Sequence, residues 1–324
     1  MPGEFDLIAR HFTRPVKRAR LGVGDDCALF GCTPGHEWAI TTDMLIAGRH
    51  FLPSDGPGTI GHKAMAVNLS DLAAMGAAPR YALLSIALPS DDERFLRGFA
   101  GGFFGLAQKF DVEVIGGDTT RGGLLTLSVT ALGEIPVGEA LRRDGARAGD
   151  DVWVSGTLGD AALALAHHQR VVELSTDEAV ACFPRLYVPT PRIELGLALR
   201  GVATACIDVS DGFAADLGHI LERSGVAAEV AFEALPLSAA AAAHQHEPAA
   251  RDCILGGGDD YELVFTAPPD QRARVEAIAA ALTLPLSRVG GIVAGAGLVV
   301  THAGAAMALQ RRGFDHFAGA VPRA

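Results

Sequence analysis

Apolar residues recur along this chain with two different spacings, and the two alternate from end to end. Between 61 and 76 they fall three and four apart, at Met65, Leu69, Leu72 and Met75. That period predicts a helix, which Gly76 and Pro79 end. A second helical stripe, Phe95, Phe99, Phe103, Leu106 and Phe110, follows Ser90-Asp91-Asp92-Glu93, which reads as a capping box. A third, Phe213, Leu217, Ile220 and Leu221, stops at Gly225. Short apolar runs between the stripes predict strands over 38–42, 81–88, 112–115, 124–132, 152–154, 204–209, 262–266 and 298–301. An Ala-rich helix follows Asp160, and another helix spans 272–282. The biased stretch 238–250 predicts only a weakly constrained helix or loop. Both halves repeat the order strand, glycine-rich aspartate loop, helix, without the fixed period of a solenoid. The polar, glycine-bearing segment from Arg142 to Asp150 has the composition of a joint and divides the chain into domains 1–142 and 143–324. The expected class is α/β (α+β), two domains with acidic loops at strand ends, where sites tend to lie.

Composition narrows the partners. A chain of 324 residues is long enough for two cores, and 49% hydrophobic with 20% charged residues is an ordinary globular balance. The net charge of -11 argues against nucleic acid or an anionic membrane surface. It leaves an anionic nucleotide open, because a bound cation reverses the local field. The five cysteines are odd in number and form no C-x-x-C pair, which points to a reduced compartment. Residues 1–20 hold no apolar leader and no apolar run is long enough to span a bilayer, so a cytoplasmic location is expected.

The candidate chemistry lies in aspartates set among glycine, serine and threonine. They are Asp25 and Asp26, Asp43 after Thr41-Thr42, Asp71 after Asn68, Asp118 after Gly116-Gly117, Asp208 and Asp211 around Ser210, Asp216, and Asp259-Asp260. Gathered carboxylates need a cation between them, and oxygen-only ligands favour a hard one, with Mg2+ the common phosphate carrier. Each cluster alone has a plainer reading as a turn with a solvated Asp; their recurrence favours function. Asp is a poor residue inside a helix, so Asp71 needs a reason, although Asn68 on the same face also allows an exposed surface. Gly116-Gly117 reads as a tight turn that lets backbone approach a ligand. Arg142 and Arg143 suit phosphate oxygens but are more often solvated linker residues. His50, His167-His168 and His244-x-His246 read as structural, and Cys27 beside Asp26 is a poor nucleophile in acidic surroundings. No phosphate-binding loop of the G-x-x-x-x-G-K-[ST] type and no protein-kinase signature set occurs.

With these clusters in order, the chain resembles the thiamine-monophosphate kinase family, within the superfamily of aminoimidazole ribonucleotide synthetase, selenophosphate synthetase and HypE. The residues that carry the resemblance are GDDCA (24–28), TTDML (41–45), AGRHF (47–51), KAMAVNLSDLAAMGAAP (63–79), IGGDTTRG (115–122), RDGARAGD (143–150), SGTLGD (155–160), DVSDGFAADLGHI (208–220), GGGDDYEL (256–263) and GFDHF (313–317). It implies a PurM-like two-domain fold, with an N-terminal mixed sheet that pairs across a homodimer and a C-terminal α/β domain. It implies phosphorylation of thiamine monophosphate by ATP with several Mg2+ ions. Matched position by position, Asp26, Thr41, Thr42, Asp43, Asp71, Asp118, Asp208 and Asp211 would be metal ligands. Gly117, Asp118, Arg143 and Ser210 would contact ATP, and His50, Asp259 and Phe314 the substrate. Asp259 stands where relatives more often carry Glu, one methylene longer. A phosphate monoester has its second pKa near ~6, so the nucleophile is largely ionised at neutral pH and no general base or covalent nucleophile is expected. The rivals are a sister enzyme and a non-catalytic nucleotide or metal sensor. Residues 1–20 lack the Cys of a selenophosphate synthetase, and Val321-Pro322-Arg323-Ala324 lacks the terminal Cys of HypE.

Overall fold

A four-stranded sheet and a seven-stranded sheet organise the chain, one in each of two units, Met1–Ala140 and Leu141–Ala324. The structure is a computed structural model that describes residues 4–24, 26–309 and 313–314. The first unit runs through a short helix α1 (Glu4–Leu7), β1 (His36–Ile46), α2 (Pro57–Ala74), β2 (Ala78–Leu88), α3 (Glu93–Lys109), β3 (Glu113–Arg121) and β4 (Thr126–Pro136). The strand order is β1-β4-β2-β3; β2 and β3 run parallel and the other pairs antiparallel.

Helices α2 and α3 pack through glycine. A Cβ on Gly102 would lie 1.9 Å from the Gly58 carbonyl oxygen, and one on Gly61 2.1 Å from that of Phe99. Met65, Leu69 and Leu72 are buried as the helical period requires, and so are Phe99, Phe103 and Leu106. Met75 lies past the end of α2 and is partly exposed. The expected capping box at Ser90 is replaced by Asp92 alone, whose Oδ1 accepts the Arg94 N–H at 2.9 Å, because the helix begins later. The turn expected at Gly116-Gly117 does not form: β3 continues through Asp118 to Arg121.

The second unit comprises β5 (Asp151–Ser155), α4 (Asp160–His168), α5 (Thr176–Tyr187), α6 (Ile193–Ala198), β6 (Ala205–Asp208), α7 (Phe213–Ser224), β7 (Ala227–Ala231), α8 (Ala239–His244), α9 (Pro248–Gly256), β8 (Leu263–Ala267), α10 (Arg272–Leu282), β9 (Leu286–Val293), β10 (Gly297–His302) and β11 (Ala305–Ala306). The order is β11-β10-β7-β9-β5-β8-β6, with β10 parallel to β7 and the other pairs antiparallel. Helix α7 buries Phe213, Leu217, Ile220 and Leu221 and ends on Gly225 at φ 67, a left-handed cap that glycine adopts without strain. The stretch 238–250 is ordered: Ser238 caps α8 and Pro248 opens α9. Among the described residues no helix is long and apolar enough to cross a membrane.

Candidate functional site

Strand β1 alternates in and out, and the alternation sorts its polar residues. Thr41, Asp43 and buried Leu45 face α2, while Ile40, Thr42 and Met44 are exposed on the opposite face. The Thr41 hydroxyl donates to Asp71 Oδ2 on α2. Asn68, one helical turn earlier, is fully buried, which excludes the exposed-face reading. Its side-chain oxygen accepts the Asp43 N–H at 3.0 Å, and its amide donates to the Ala64 carbonyl at 3.1 Å. Asn68 therefore registers β1 against α2, and Thr41, Asp43 and Asp71 gather at that seam.

Asp118 is not gathered with them. Across the sheet Met44 pairs with Ser128, Ser128 with Ser85, and Ser85 with Asp118, so all four share the face turned away from α2. Thr42 lies on this face too and accepts from the Thr130 hydroxyl at 3.2 Å. Asp43 and Asp118 are thus on opposite faces and three strand spacings apart, about 14 Å. A register shift between Ala82 and Leu83, which leaves Ile115 unpaired in β3, sets the direction of Asp118. Gly117, at φ 153, is required by the sheet itself: a Cβ there would lie 1.8 Å from the Leu84 carbonyl oxygen.

Asp26 is exposed in the tip of a hairpin-like segment closed by Leu21 and Leu29, whose N–H groups each donate to the other's carbonyl. Its neighbour Asp25 lies outside the described residues, as do 315–317 of the GFDHF segment. His50 sits in the tight loop after β1, where its Nδ1 accepts the Ile46 N–H at 3.0 Å. That bond places the proton of the neutral ring on Nε2. Buried Lys63, which the sequence reading did not single out, donates to the His50 carbonyl at 3.3 Å.

In the second unit the acidic loops converge. Asp208 ends β6 and is buried; Ser210 and Asp211 follow. The Ser210 carbonyl accepts the Asp259 N–H at 2.9 Å, the Val209 carbonyl accepts that of Tyr261 at 2.8 Å, and the Asp211 carbonyl accepts that of Phe314 at 2.9 Å. The approach is close enough to demand glycine, since a Cβ on Gly258 would lie 2.2 Å from the Ser210 oxygen. One carboxylate oxygen of Asp216 accepts the N–H groups of Ser210, Asp211 and Gly212, each at 3.0 Å. Burial first, then the Asp211 carboxylate, pushes the Asp216 carboxyl up to about 7, against the pull of those N–H groups. Asp259 and Tyr261 both adopt left-handed backbone, at φ 70 and 50, and the Tyr261 hydroxyl donates to Asp259 Oδ1 at 3.0 Å. Arg143 is exposed at the joint.

Beneath this loop lies a buried ionic cluster that sequence reasoning missed. Glu262 is fully buried and accepts from Arg185 at 2.6 Å, from Arg192 Nε at 2.7 Å and from the Ser155 hydroxyl at 2.6 Å. Asp260 accepts the Gly159 N–H at 2.8 Å through Oδ2, while its Oδ1 has no hydrogen-bond partner. Burial holds the Asp260 carboxyl well above the usual carboxylate range. His167 Nδ1 accepts the Leu174 N–H at 3.0 Å, and His244 lies between Glu178 and Glu247.

The candidate ligands are carboxylates and hydroxyls. Among the described residues no three His, Cys, Asp or Glu side chains form a ready-made metal cage. Small groups of oxygens suit Mg2+, which keeps waters and takes further ligands from phosphates, so the donor set fits that ion. The arrangement can bind polyanions through metal.

The chain matches the family models for AIR synthase related protein, N-terminal domain, over residues 24–135 and AIR synthase related protein, C-terminal domain, over residues 147–303. It is 45% identical to the thiamine-monophosphate kinase of Salmonella typhimurium, covering 98% of each chain. Its fold is similar to the crystal structure of thiamine-monophosphate kinase from Stenotrophomonas maltophilia K279a, with a TM-score of 0.83 and 48% identity over 93% of this chain and 95% of that one. It is also similar to AaThiL complexed with AMPPCP and TMP, with a TM-score of 0.77 and 34% identity over 88% of this chain and 89% of that one.

Proposed function

Because this chain belongs to the thiamine-monophosphate kinase family, we propose how its own residues carry out that family's reaction. The chain is an ATP-dependent kinase of two-domain PurM-like fold that phosphorylates thiamine monophosphate to thiamine diphosphate. The observation that carries the residue-level reading is the convergence of 208–212 with 256–261 and Phe314, which joins acidic residues matched to metal and nucleotide with residues matched to substrate.

Asp26, Thr41, Thr42, Asp43, Asp71, Asp118, Asp208 and Asp211 would hold several Mg2+ ions, with Gly117, Asp118, Arg143 and Ser210 on ATP. Mg2+ bound there supplies charge neutralisation between two polyanions and favours an in-line transfer. His50, Asp259 and Phe314 contact thiamine monophosphate. The Tyr261 hydroxyl and the left-handed backbone orient Asp259, which supports a substrate contact from a side chain shorter than Glu. The substrate phosphate attacks the γ-phosphorus directly, with no general base and no phosphoenzyme. A homodimer covers the outer face of β1, where Ile40 is 63% and Met44 56% exposed. A cytoplasmic location agrees with five free cysteines, two of them exposed.

The test is ATP consumption with and without thiamine monophosphate, repeated in EDTA and with Asp71→Asn. Turnover that needs thiamine monophosphate and falls at least a hundredfold, about the scale of losing an electrostatic transition-state contact, supports the reading. Full activity in EDTA, or in folded Asp71→Asn protein, refutes the metal assignment.

A further inference from the structure

The segment that carries Asp26 has no strand of its own in the sheet, yet its position is fixed at both ends by a carboxylate from the sheet. On one side Glu113, the first residue of β3, accepts the N–H groups of Lys17 and Arg18 through Oε1, at 2.7 and 2.8 Å, and that of Ala19 through Oε2 at 3.1 Å. On the other side Glu134 of β4 accepts both the N–H and the hydroxyl of Thr33, at 2.7 and 2.8 Å. The Arg80 Nε donates to the same Glu134 at 2.9 Å. Between the two anchors the chain turns back on itself at the Leu21–Leu29 bridge, with Asp26 in the tip. Val16, Ala19, Ala28 and Phe30 pack on Tyr81, Trp38 and Leu132, so the segment also has an apolar foothold.

We propose that Glu113 and Glu134 are positioning residues for Asp26: they set the height of the hairpin against the sheet and so present its carboxylate to the metal–nucleotide complex. The inference rests on the reading of Asp26 as a metal ligand. A side chain that accepts three consecutive backbone N–H groups holds a main chain more rigidly than packing does, because each bond is directional and charge-assisted. Burial opposes ionisation of Glu113, but the N–H groups of Ala19, Arg18 and Lys17 outweigh it and keep its carboxyl below the ordinary value. Glu113 also opens the strand that carries Gly117 and Asp118, so the same strand supplies one proposed ligand and anchors the segment bearing another. The Arg18 guanidinium adds a bond to the Asp111 carbonyl at 2.8 Å beside this anchor.

The experiment is a Mn2+ titration followed by electron paramagnetic resonance, with AMPPCP present, on the full chain and on Glu113→Gln and Asp26→Asn. Glu113→Gln places an NH2 group against backbone donors. It is expected to weaken Mn2+ binding by about tenfold or more, the range for partners that orient metal ligands. Amide exchange at 17–19 should quicken while that of the α2 core stays unchanged. Weakening in both variants supports the proposal. Weakening in Asp26→Asn alone overturns the positioning role and leaves the ligand reading standing; no weakening in Asp26→Asn overturns both. Should Glu113→Gln fail to fold, Glu134→Gln loosens the other anchor, at the Thr33 N–H and hydroxyl, and unchanged Mn2+ affinity in that folded variant also overturns the proposal.

Discussion

Replacing Glu262 by Gln removes one negative charge from a place where two guanidinium groups have been built around it. Glu262 is fully buried, while the side chains of Arg185 and Arg192 are 21% and 17% exposed. At charge separations near ~4 Å and an effective dielectric of ~20, each pair contributes about 4 kcal/mol before desolvation is subtracted. Breaking a buried pair from one side costs about 3–5 kcal/mol, because the remaining charge is left uncompensated. Partial exposure lets the two arginines regain some water, so the lower end, about 3 kcal/mol, is expected. Gln keeps one acceptor oxygen for the Ser155 hydroxyl, and its volume leaves the neighbouring Gly156 no more crowded than before. In a unit of this size about 3 kcal/mol corresponds to a fall of roughly 6–12 °C in Tm. Calorimetry resolves the effect, which should appear in the transition of the second unit and leave that of the first in place. A loss below about 1 kcal/mol, the scale of a surface pair, would refute the reasoning, since the arginines would then not depend on Glu262 for compensation.

Asp260→Asn addresses pH. The folded carboxyl is raised above its unfolded value of about 3.9, so as pH climbs the unfolded chain ionises first and wild-type stability falls until the folded group ionises as well. The Asn variant lacks this slope, and urea unfolding at pH 5 and pH 8 should show it gaining on wild type at the higher pH; parallel pH dependences would contradict the assignment. Gly117→Ala forces a Cβ into the Leu84 carbonyl and should cost about 2–5 kcal/mol from overpacking and backbone strain together, measured as a lower Tm with loss of AMPPCP binding. His50→Asn retains an acceptor oxygen for the Ile46 N–H and should raise KM for thiamine monophosphate more than it lowers kcat, read from steady-state kinetics; a fall in kcat alone would point to a chemical role.

The helices legible in the sequence were those with one apolar face and a clean stop, such as α7 with its Gly225 cap. Helix α5 was not legible, because it buries only Cys182 and Leu186 and carries Pro184 inside. Strand β9 was hidden by Gly290-Gly291 in its middle, where the Glu229 carbonyl comes within 2.1 Å of where a Cβ would stand. At the site, residue type was readable and direction was not. Nothing in Gly116-Gly117-Asp118 announces that an unpaired Ile115 turns Asp118 to the face opposite Asp43. Nothing in Asp259-Asp260-Tyr261 announces left-handed backbone at two residues that have a Cβ. At Asn68 an exposed face and a functional one both stayed open, because a buried amide satisfied by a strand on another part of the chain leaves no periodic signal.

The second sheet carries a consequence for how the chain is made. Strand β5 lies between β8 and β9, with Asp151 opposite Ala267 on one side and Gly291 on the other, and all five of its residues are buried. A ribosome working at roughly 5–20 residues per second releases β5 on the order of ten seconds before either neighbour exists. During that interval Val152-Trp153-Val154 is an apolar strand with two open edges, which is the form of segment that pairs with the wrong chain. Slowing elongation after β5 should therefore lower the yield of native protein in a cell more than slowing it after β9.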